Sequence, residues 1–236
     1  MSRIFITGDT HGDIDRKKLD VDEWPEQNKL TKDDYLIIAG DVALRWCDTK
    51  PDGTLTESDS EMIRWYNNKP FTTLFIDGNH ENHHALNSYP VSEWNGGKVH
   101  RLDDSVYHLM RGQVYNINGY AFFTMGGARS VDIYNRRKGI SWWPEEMPSR
   151  LEYEEAISNL EKNNMSVDYV ITHCCGTSLQ PCLCAFDADS DELTQFFDHL
   201  EFDFGLKFKH WYFGHYHRDK RIDDRHTCLY YRIIEL

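Results

Sequence analysis

Short apolar runs alternate along the chain with stretches of helical periodicity, which is the pattern of a layered α/β protein. Six runs rich in aliphatic and aromatic residues predict β-strands, and three amphipathic stretches predict helices. The predicted strands are residues 4–7, 35–39, the segment around Leu74, 121–125, 169–172 and 211–213. The predicted helices are residues 57–68, 150–163 and 190–199.

Polar residues follow each predicted strand at the point where it ends. The sequences at these ends are GDTHGD, GDV, GNHE, GGARS, HCC and GHYH, in chain order. Open α/β sheets bind their ligands at the carboxyl ends of the strands, where loops extend from a rigid scaffold. Because the same type of ending recurs from Asp9 to His217, we expect these loops to form one site.

The side chains in these endings are of the types that bind divalent metals. The candidate ligands are Asp9, His11, Asp41, Asn79, His173, His215 and His217. A mixture of oxygen and imidazole ligands suits Mn, Fe, Zn, Co or Ni better than Ca, which prefers oxygen alone. In extended backbone, residues i and i+2 share a face, so Asp9 with His11, and His215 with His217, are each expected to face one pocket.

The charge of this ligand set favours two ions over one. Two divalent cations bring four positive charges, whereas Asp9 and Asp41 are the anionic members of the set. The remaining excess of about two positive charges matches a hydroxide and a phosphate ester in a two-metal displacement.

These motifs resemble, in the same order, the signatures DxH, GD, GNH, H and GHxH of the calcineurin-like metallophosphoesterase family. The resemblance runs from Asp9 to His217 and points to the small prokaryotic or phage-type members. It implies one domain over residues 1–236, of α/β class. The implied fold is a four-layer α/β/β/α sandwich of two mixed sheets flanked by helices, with a dimetal site at the carboxyl ends of the strands.

The resemblance also implies a role for each candidate residue. One ion would be bound by Asp9, His11 and His217, the other by Asn79, His173 and His215, and both by Asp41. His80 would protonate the leaving oxygen while a metal-activated hydroxide attacks phosphorus. The implied activity is hydrolysis of a phosphomonoester or phosphodiester with two divalent ions, of which Mn is the first choice among Mn, Fe, Zn, Ni and Co.

Two arginines are candidates for binding the substrate phosphate, since a guanidinium can donate two parallel hydrogen bonds. Arg45 has the spacing of the arginine in the GDxxDRG motif of serine/threonine protein phosphatases. Leu44 stands where that motif has an aspartate that pairs with the equivalent of His80, so the group that orients His80 is left open. Arg129 lies in GGARSVD, which is similar to the GGAxSxD stretch of small prokaryotic metallophosphoesterases, and Arg136 follows it in the same segment.

Composition limits the partners and the location. No run approaches the roughly 20 apolar residues that cross a bilayer, and the first residues lack a secretory pattern, so a cytoplasmic protein is expected. A formal net charge of -13 disfavours binding to duplex nucleic acid, whereas small phosphorylated substrates such as nucleotides remain compatible with it. Spacing does not determine the oligomeric state, the native metal or the choice between monoester and diester.

Alternatives remain at this stage. A protein phosphatase or a nuclease would use the same motifs, and a scaffold of this fold without catalysis is the alternative from another class. Six cysteines include a group formed by Cys174, Cys175, Cys182 and Cys184. Their spacing lacks the paired CxxC of zinc sites, so thiols without a metal are expected.

Overall fold

The computed structural model describes residues 2–45, 50, 54–183 and 190–236. Within these ranges the chain forms thirteen β-strands and four α-helices, besides shorter helical turns. The strands are β1 Ile4–Thr7, β2 Tyr35–Ile38, β3 Thr72–Phe75, β4 Val91–Trp94, β5 Gly97–Asp103, β6 Val106–Leu109, β7 Gln113–Ile117, β8 Tyr120–Met125, β9 Tyr169–Thr172, β10 His210–Phe213, β11 Lys220–Arg221, β12 His226–Cys228 and β13 Ile234–Glu235. The helices are α1 Glu57–Asn67, α2 His83–Asn87, α3 Arg150–Lys162 and α4 Glu192–Asp198.

The strands form two mixed sheets. In the first, the order is β13-β1-β2-β3-β6-β5-β4, and β1, β2, β3 and β6 run parallel. In the second, the order is β11-β12-β10-β9-β8-β7, and β12, β10, β9 and β8 run parallel. Both sheets therefore have parallel centres, whose carboxyl ends carry the polar loops.

Alternation of apolar side chains along these strands produces three cores. The core between the sheets contains Ile4, Ile6, Ile37, Leu74, Phe122, Ile171 and Tyr212. The intervening residues pack outward, so that Phe5, Leu36 and Phe75 meet α1, while Phe123, Val170 and Trp211 meet α3 and α4. Three cores separate four layers, and the predicted α/β/β/α sandwich is confirmed.

The three longer helices begin at capping residues that their sequences contain. The Thr56 side chain accepts a hydrogen bond from the backbone of Asp59, and Ser149 forms a capping box with Glu152. Asp191 accepts from the backbone of Thr194, so α4 begins two residues later than predicted from residue 190. Such caps satisfy backbone donors that the first helical turn leaves free.

The prediction of six strands was incomplete, because it omitted β4 to β7 and the short strands β11 to β13. Their turns carried a recognisable signal. Asn95 and Gly96 join β4 to β5, and Asn118 and Gly119 join β7 to β8, all four residues with positive φ. Asn-Gly is the preferred pair for two-residue hairpins, because such turns need positive φ at both central positions.

The four cysteines that the structure describes form no disulfide bonds. Cys174, Cys175 and Cys228 are buried and Cys182 is exposed, whereas Cys184 lies outside the described residues. Burial raises the pKa of the Cys174 thiol well above its ordinary value. No group of potential metal ligands among the described residues includes a cysteine. Within that same part of the chain, no helix has the length and apolar character needed to cross a membrane.

Candidate metal centre

Loops after five of the parallel strands bring the predicted ligands to one edge of the two sheets. Several of these residues have left-handed backbone, with φ of 43° at His11, 49° at Asp41, 68° at His215 and 48° at His217. The extended geometry assumed for Asp9 with His11, and for His215 with His217, is therefore replaced by turns, although Asp9 and His11 still lie in one group of potential ligands. Left-handed backbone costs a non-glycine residue roughly 1 to 3 kcal/mol, so the fold maintains strain where these side chains converge.

Two buried carboxylates lie at the centre of the site. Asp9 is 0% exposed and Asp41 is 1% exposed. His217 Nε2 lies 3.3 Å from Asp9 Oδ2, while His11 Nε2 and His173 Nε2 lie 3.3 and 3.2 Å from Asp41 Oδ2. The carboxylates thus face imidazole nitrogens from loops that are distant in sequence.

The potential ligand atoms form three overlapping groups, each with all of its atoms within 4.8 Å of one another. These groups are Asp9, His11 and His217, then His11, Asp41 and His80, and then Asp41, His173 and His215. Asn79 adjoins the third group, because its Oδ1 lies 3.3 Å from His173 Nε2. The structure therefore brings all seven predicted ligands together.

Hydrogen bonds hold two of the imidazoles with Nε2 toward the carboxylates. His173 Nδ1 donates to the backbone oxygen of Ala39 at 2.7 Å, and His11 Nδ1 pairs with Asp15 Oδ2 at 2.7 Å. The Tyr230 hydroxyl donates to the other oxygen of Asp15 at 2.9 Å. Partners of this kind orient metal-ligating histidines and select their tautomer.

The GGARS segment fixes the amide of Asn79. Asn79 Nδ2 donates to Ser130 Oγ at 3.1 Å, and Ser130 Oγ donates to Glu146 Oε2 at 2.7 Å. Since the amide nitrogen is occupied by Ser130, the amide oxygen faces His173. Ser130 and Glu146 belong to no ligand signature, so the motifs did not predict their role.

The carboxylates attract positive charge strongly. Although burial opposes the charged form, the nearby histidines hold the pKa of Asp41 well below its ordinary value. Burial lowers the pKa of His11 and His173, but Asp41 more than offsets this and raises them to about 9 and about 10. Burial followed by the charge of His173 lowers the pKa of His215 to about 4.

The donor set and the space around it fit bound cations. Asp9 Oδ2 is buried and accepts no hydrogen bond from the described residues. A Cβ on Gly78 would lie 2.1 Å from Asp41 Oδ1 and 2.7 Å from His173 Nε2. Glycine is therefore required at position 78 for the backbone to approach Asp41 and His173 so closely. The oxygen and imidazole donors of the site suit borderline divalent metals.

His80 lies beside these groups and is oriented from two sides. Its backbone N–H donates to Asp41 Oδ1 at 2.7 Å, and Arg136 Nη1 and Nη2 lie 3.2 and 3.4 Å from its ring nitrogens. Arg136 is itself held by Asp132 at 2.7 Å. Burial, assisted by the charge of Arg136, lowers the pKa of His80 although Asp41 opposes the shift. Arg136 thus occupies the orienting role that the sequence left open at Leu44.

The two predicted phosphate-binding arginines have different surroundings. Arg45 is 2% exposed, lies 3.3 Å from Asp59 and donates to the Tyr89 hydroxyl at 3.0 Å. Arg129 is exposed and lines a small cavity of ≈50 Å³ together with His215. Arg129 therefore borders the ligand cluster, and contact of either arginine with substrate stays a prediction.

Two buried ionisable residues that are not candidate ligands, Lys18 and Glu81, support the loops that carry the candidate ligands. Lys18 Nζ donates to the backbone oxygens of Gly8 and Asp9 at 2.9 and 2.6 Å. Glu81 Oε1 accepts from the backbone of Val42 at 2.7 Å, and burial raises the pKa of Glu81 to about 8. The final residue of GNHE therefore ties the loop after β3 to the loop after β2.

A four-layer α/β/β/α sandwich with buried carboxylates, imidazoles and an amide at its central strand ends defines a metal-dependent phosphoesterase. The chain belongs to the calcineurin-like phosphoesterase family, whose model matches residues 2–219.

Comparisons with individual proteins give distant similarities. The structure of phosphopantetheinyl hydrolase (PptH) from Mycobacterium tuberculosis is 17% identical, with a TM-score of 0.41 over 98% of this chain and 90% of that one. A structure described as a 5'-nucleotidase from Staphylococcus aureus is 13% identical, with a TM-score of 0.46 over 97% of this chain and 48% of that one. Curated proteins give no significant match.

Proposed function

We propose that this protein hydrolyses a phosphomonoester or phosphodiester at a centre of two divalent cations, with Mn as the first choice. The position of Asp41 carries the proposal. Its Oδ2 lies 3.3 Å from His11 Nε2 and 3.2 Å from His173 Nε2, which belong to different ligand groups. A carboxylate between two sets of imidazoles suits a bridging ligand.

The remaining ligands divide according to the group in which they lie. On one side of Asp41 are Asp9, His11 and His217, and on the other are Asn79, His173 and His215. Mn, Fe, Zn, Ni and Co all accept such mixed donors. When bound, two such cations would activate water for attack on phosphorus and neutralise the phosphate oxygens.

The residues around the cluster supply the other requirements of ester hydrolysis. His80 borders the cluster and, when protonated, would give its proton to the leaving oxygen. Arg136, 3.2 Å from His80 Nδ1, would keep the ring in place and add positive charge beside the phosphate. Arg129, exposed beside His215, would contact phosphate oxygens from the opposite side.

We propose a small phosphorylated substrate, such as a nucleotide, as the natural class. A net charge of -13 opposes the long polyanionic surface of duplex nucleic acid. Leu44 is buried where protein phosphatases have an aspartate, so His80 lacks the partner typical of those enzymes. A scaffold without catalysis would not require all seven ligand residues to converge.

The test combines metal analysis with ester hydrolysis. Purified protein is loaded with Mn, Ni or Zn, its metal content is measured, and turnover is followed with p-nitrophenyl phosphate and bis(p-nitrophenyl) phosphate. We expect nearly two ions per chain, loss of turnover in Asp41→Asn, and a preference for one ester that separates monoesterase from diesterase. His80→Ala should retain metal and slow esters with poor leaving groups most.

His199→Ala is the matched control, because this histidine is exposed and pairs with Asp203 away from the ligand groups. It should leave metal content and turnover unchanged. Absence of both bound metal and turnover in wild type under all these conditions would favour the scaffold and reject the proposal.

A further inference from the structure

A largely apolar cavity opens beside the ligand cluster and has no role in the proposed chemistry. It has a volume of ≈420 Å³, within the range of roughly 300 to 1,000 Å³ that is typical of small-molecule sites. Its apolar lining comes from Ile14, Ala43, Leu44 and Met62. We name it the Met62 pocket.

The Met62 pocket is continuous with the candidate metal centre. His11 and His80 line it, and both also belong to one of the groups of potential ligands. The leaving oxygen must lie next to His80 if this residue protonates it. A substituent carried by that oxygen would therefore extend from the cluster into the pocket.

The charges around the pocket disfavour an anionic occupant. The part of the lining that the structure describes contains no lysine or arginine, but includes Asp13 and Asp59. Asp13 is paired with Arg16, and Asp59 lies 3.3 Å from Arg45. The arginines beside the pocket, Arg16 and Arg45, are thus paired with its carboxylates, and the histidines of the lining, His11 and His80, belong to the ligand cluster.

An exposed apolar side chain marks the pocket entrance. Ile14 is 78% exposed, although it lies beside buried polar groups. Met62 on α1 is only partly buried, and its unbranched side chain can adapt to ligands of different shapes. Exposed apolar surface next to a reactive site commonly serves ligand binding.

We propose that the Met62 pocket holds the alcohol part of the substrate and that this part is an uncharged apolar or aromatic group. The inference rests on the proposed phosphoesterase function, because it says where the alcohol group of the ester lies relative to the ligand cluster. The enzyme should therefore select phosphoesters according to their alcohol group. Alcohols that carry further phosphates should be poor substrates.

The experiment compares two esters and one free alcohol. The kcat/KM values for 1-naphthyl phosphate and glycerol 3-phosphate are measured with Mn for wild type, Met62→Lys and Ile14→Gln. Binding of 1-naphthol is measured separately by fluorescence without added metal, so this readout does not depend on catalysis. Leu151→Gln is the control, because Leu151 is 74% exposed on α3 and does not line the pocket.

We expect Met62→Lys to lower kcat/KM for 1-naphthyl phosphate by about tenfold or more, as for the loss of apolar contacts in a specificity pocket. Ile14→Gln should act in the same direction without risk to folding, because the residue is exposed. Glycerol 3-phosphate should be affected less than threefold. Binding of 1-naphthol should weaken in both variants and remain unchanged in Leu151→Gln.

Equal effects on both esters, or 1-naphthol binding that neither pocket substitution changes, would overturn the inference while the phosphoesterase proposal stands. If no ester is hydrolysed but 1-naphthol binding depends on Met62 and Ile14, the proposed activity fails and the pocket remains a site for apolar ligands.

Discussion

The guanidinium of Arg136 lies alongside the imidazole of His80, with Nη1 3.2 Å from Nδ1 and Nη2 3.4 Å from Nε2. Asp132 fixes the guanidinium through its Nε at 2.7 Å. Leu44, which follows the GDV motif at the position where protein phosphatases have an aspartate, has no polar group to offer His80. A cation from a distant loop therefore contacts the ring of the candidate acid, while the carboxylate of Asp41 accepts from its backbone.

Replacement of Arg136 by Lys should reduce kcat/KM about 10- to 100-fold without loss of bound metal. A lysine ammonium is a point charge and cannot lie along the imidazole of His80 as the planar guanidinium does. Loss of one hydrogen bond from a charged donor to the neutral imidazole costs about 1.5 to 3 kcal/mol, which corresponds to this range. The measurement is steady-state hydrolysis of p-nitrophenyl phosphate together with metal analysis. Arg137→Lys, an exposed neighbour, should behave as wild type, and equal losses in the two variants would contradict the role of Arg136.

Addition of Mn should raise the melting temperature, because cations would relieve repulsion between the buried carboxylates of Asp9 and Asp41. A free Mn concentration of about 100 times its Kd stabilises the folded state by about 2.7 kcal/mol. For a chain of this size, that shift corresponds to roughly 5 to 10 °C. Calorimetry with and without EDTA measures it. The shift should disappear in Asp41→Asn and persist in Asp203→Asn, and an unchanged wild-type melting temperature would argue against the metal centre.

Replacement of Asp77 by Asn should destabilise the protein by about 3 to 5 kcal/mol, as expected when one partner of a buried ion pair is removed. Asp77 Oδ2 accepts from Arg111 Nη2 at 2.5 Å and from Nε at 2.9 Å, and the residues are 1% and 7% exposed. Urea denaturation measures the change in free energy of unfolding. The control is Glu155→Gln, whose partner Lys98 is exposed, with an expected loss under about 1 kcal/mol. Similar losses in both variants would show that burial of Arg111 does not determine the cost.

The free energy of unfolding should fall as pH rises above about 6.5, the ordinary pKa of histidine, because of His226. Burial lowers the pKa of His226, but Glu201 and Asp223 offset this and raise it overall. Its Nε2 lies 3.2 Å from Glu201 and its Nδ1 lies 2.9 Å from Asp223. Protonation of His226 is therefore favoured in the folded state. Its contribution to the free energy of unfolding is fully present below the pKa of the unfolded chain. That contribution is lost as pH rises through the higher pKa of the folded state.

Urea denaturation between pH 5.5 and 8.5 tests this effect. His226→Asn should be less stable than wild type at low pH, with a difference that narrows as pH rises. A difference between the two proteins that stays constant over this range would show that protonation of His226 does not stabilise the fold.

The sequence predicted the central strands and the residues that converge at their ends, because both signals are local. The bounds of Ile4–Thr7 and Tyr169–Thr172 agree with the prediction, and the others differ by one or two residues. The strands β4 to β7 and β11 to β13 were missed, although Asn-Gly turns mark two of the connections. Apart from β6 and β12, which pair parallel with β3 and β10, these strands pair antiparallel. None of them is followed by a predicted ligand, so the motifs contained no information about them.

The sequence by itself determined the fold class, the family and the set of candidate ligand residues, because apolar periodicity and short motifs are properties of contiguous residues. Only the tertiary structure decided that Arg136 lies against His80, that Arg45 is buried with Asp59, and that Met62 borders the site. These contacts join loops that are 14 or more residues apart in sequence. They follow from the packing of two sheets and their helices, and spacing along the chain does not encode such packing.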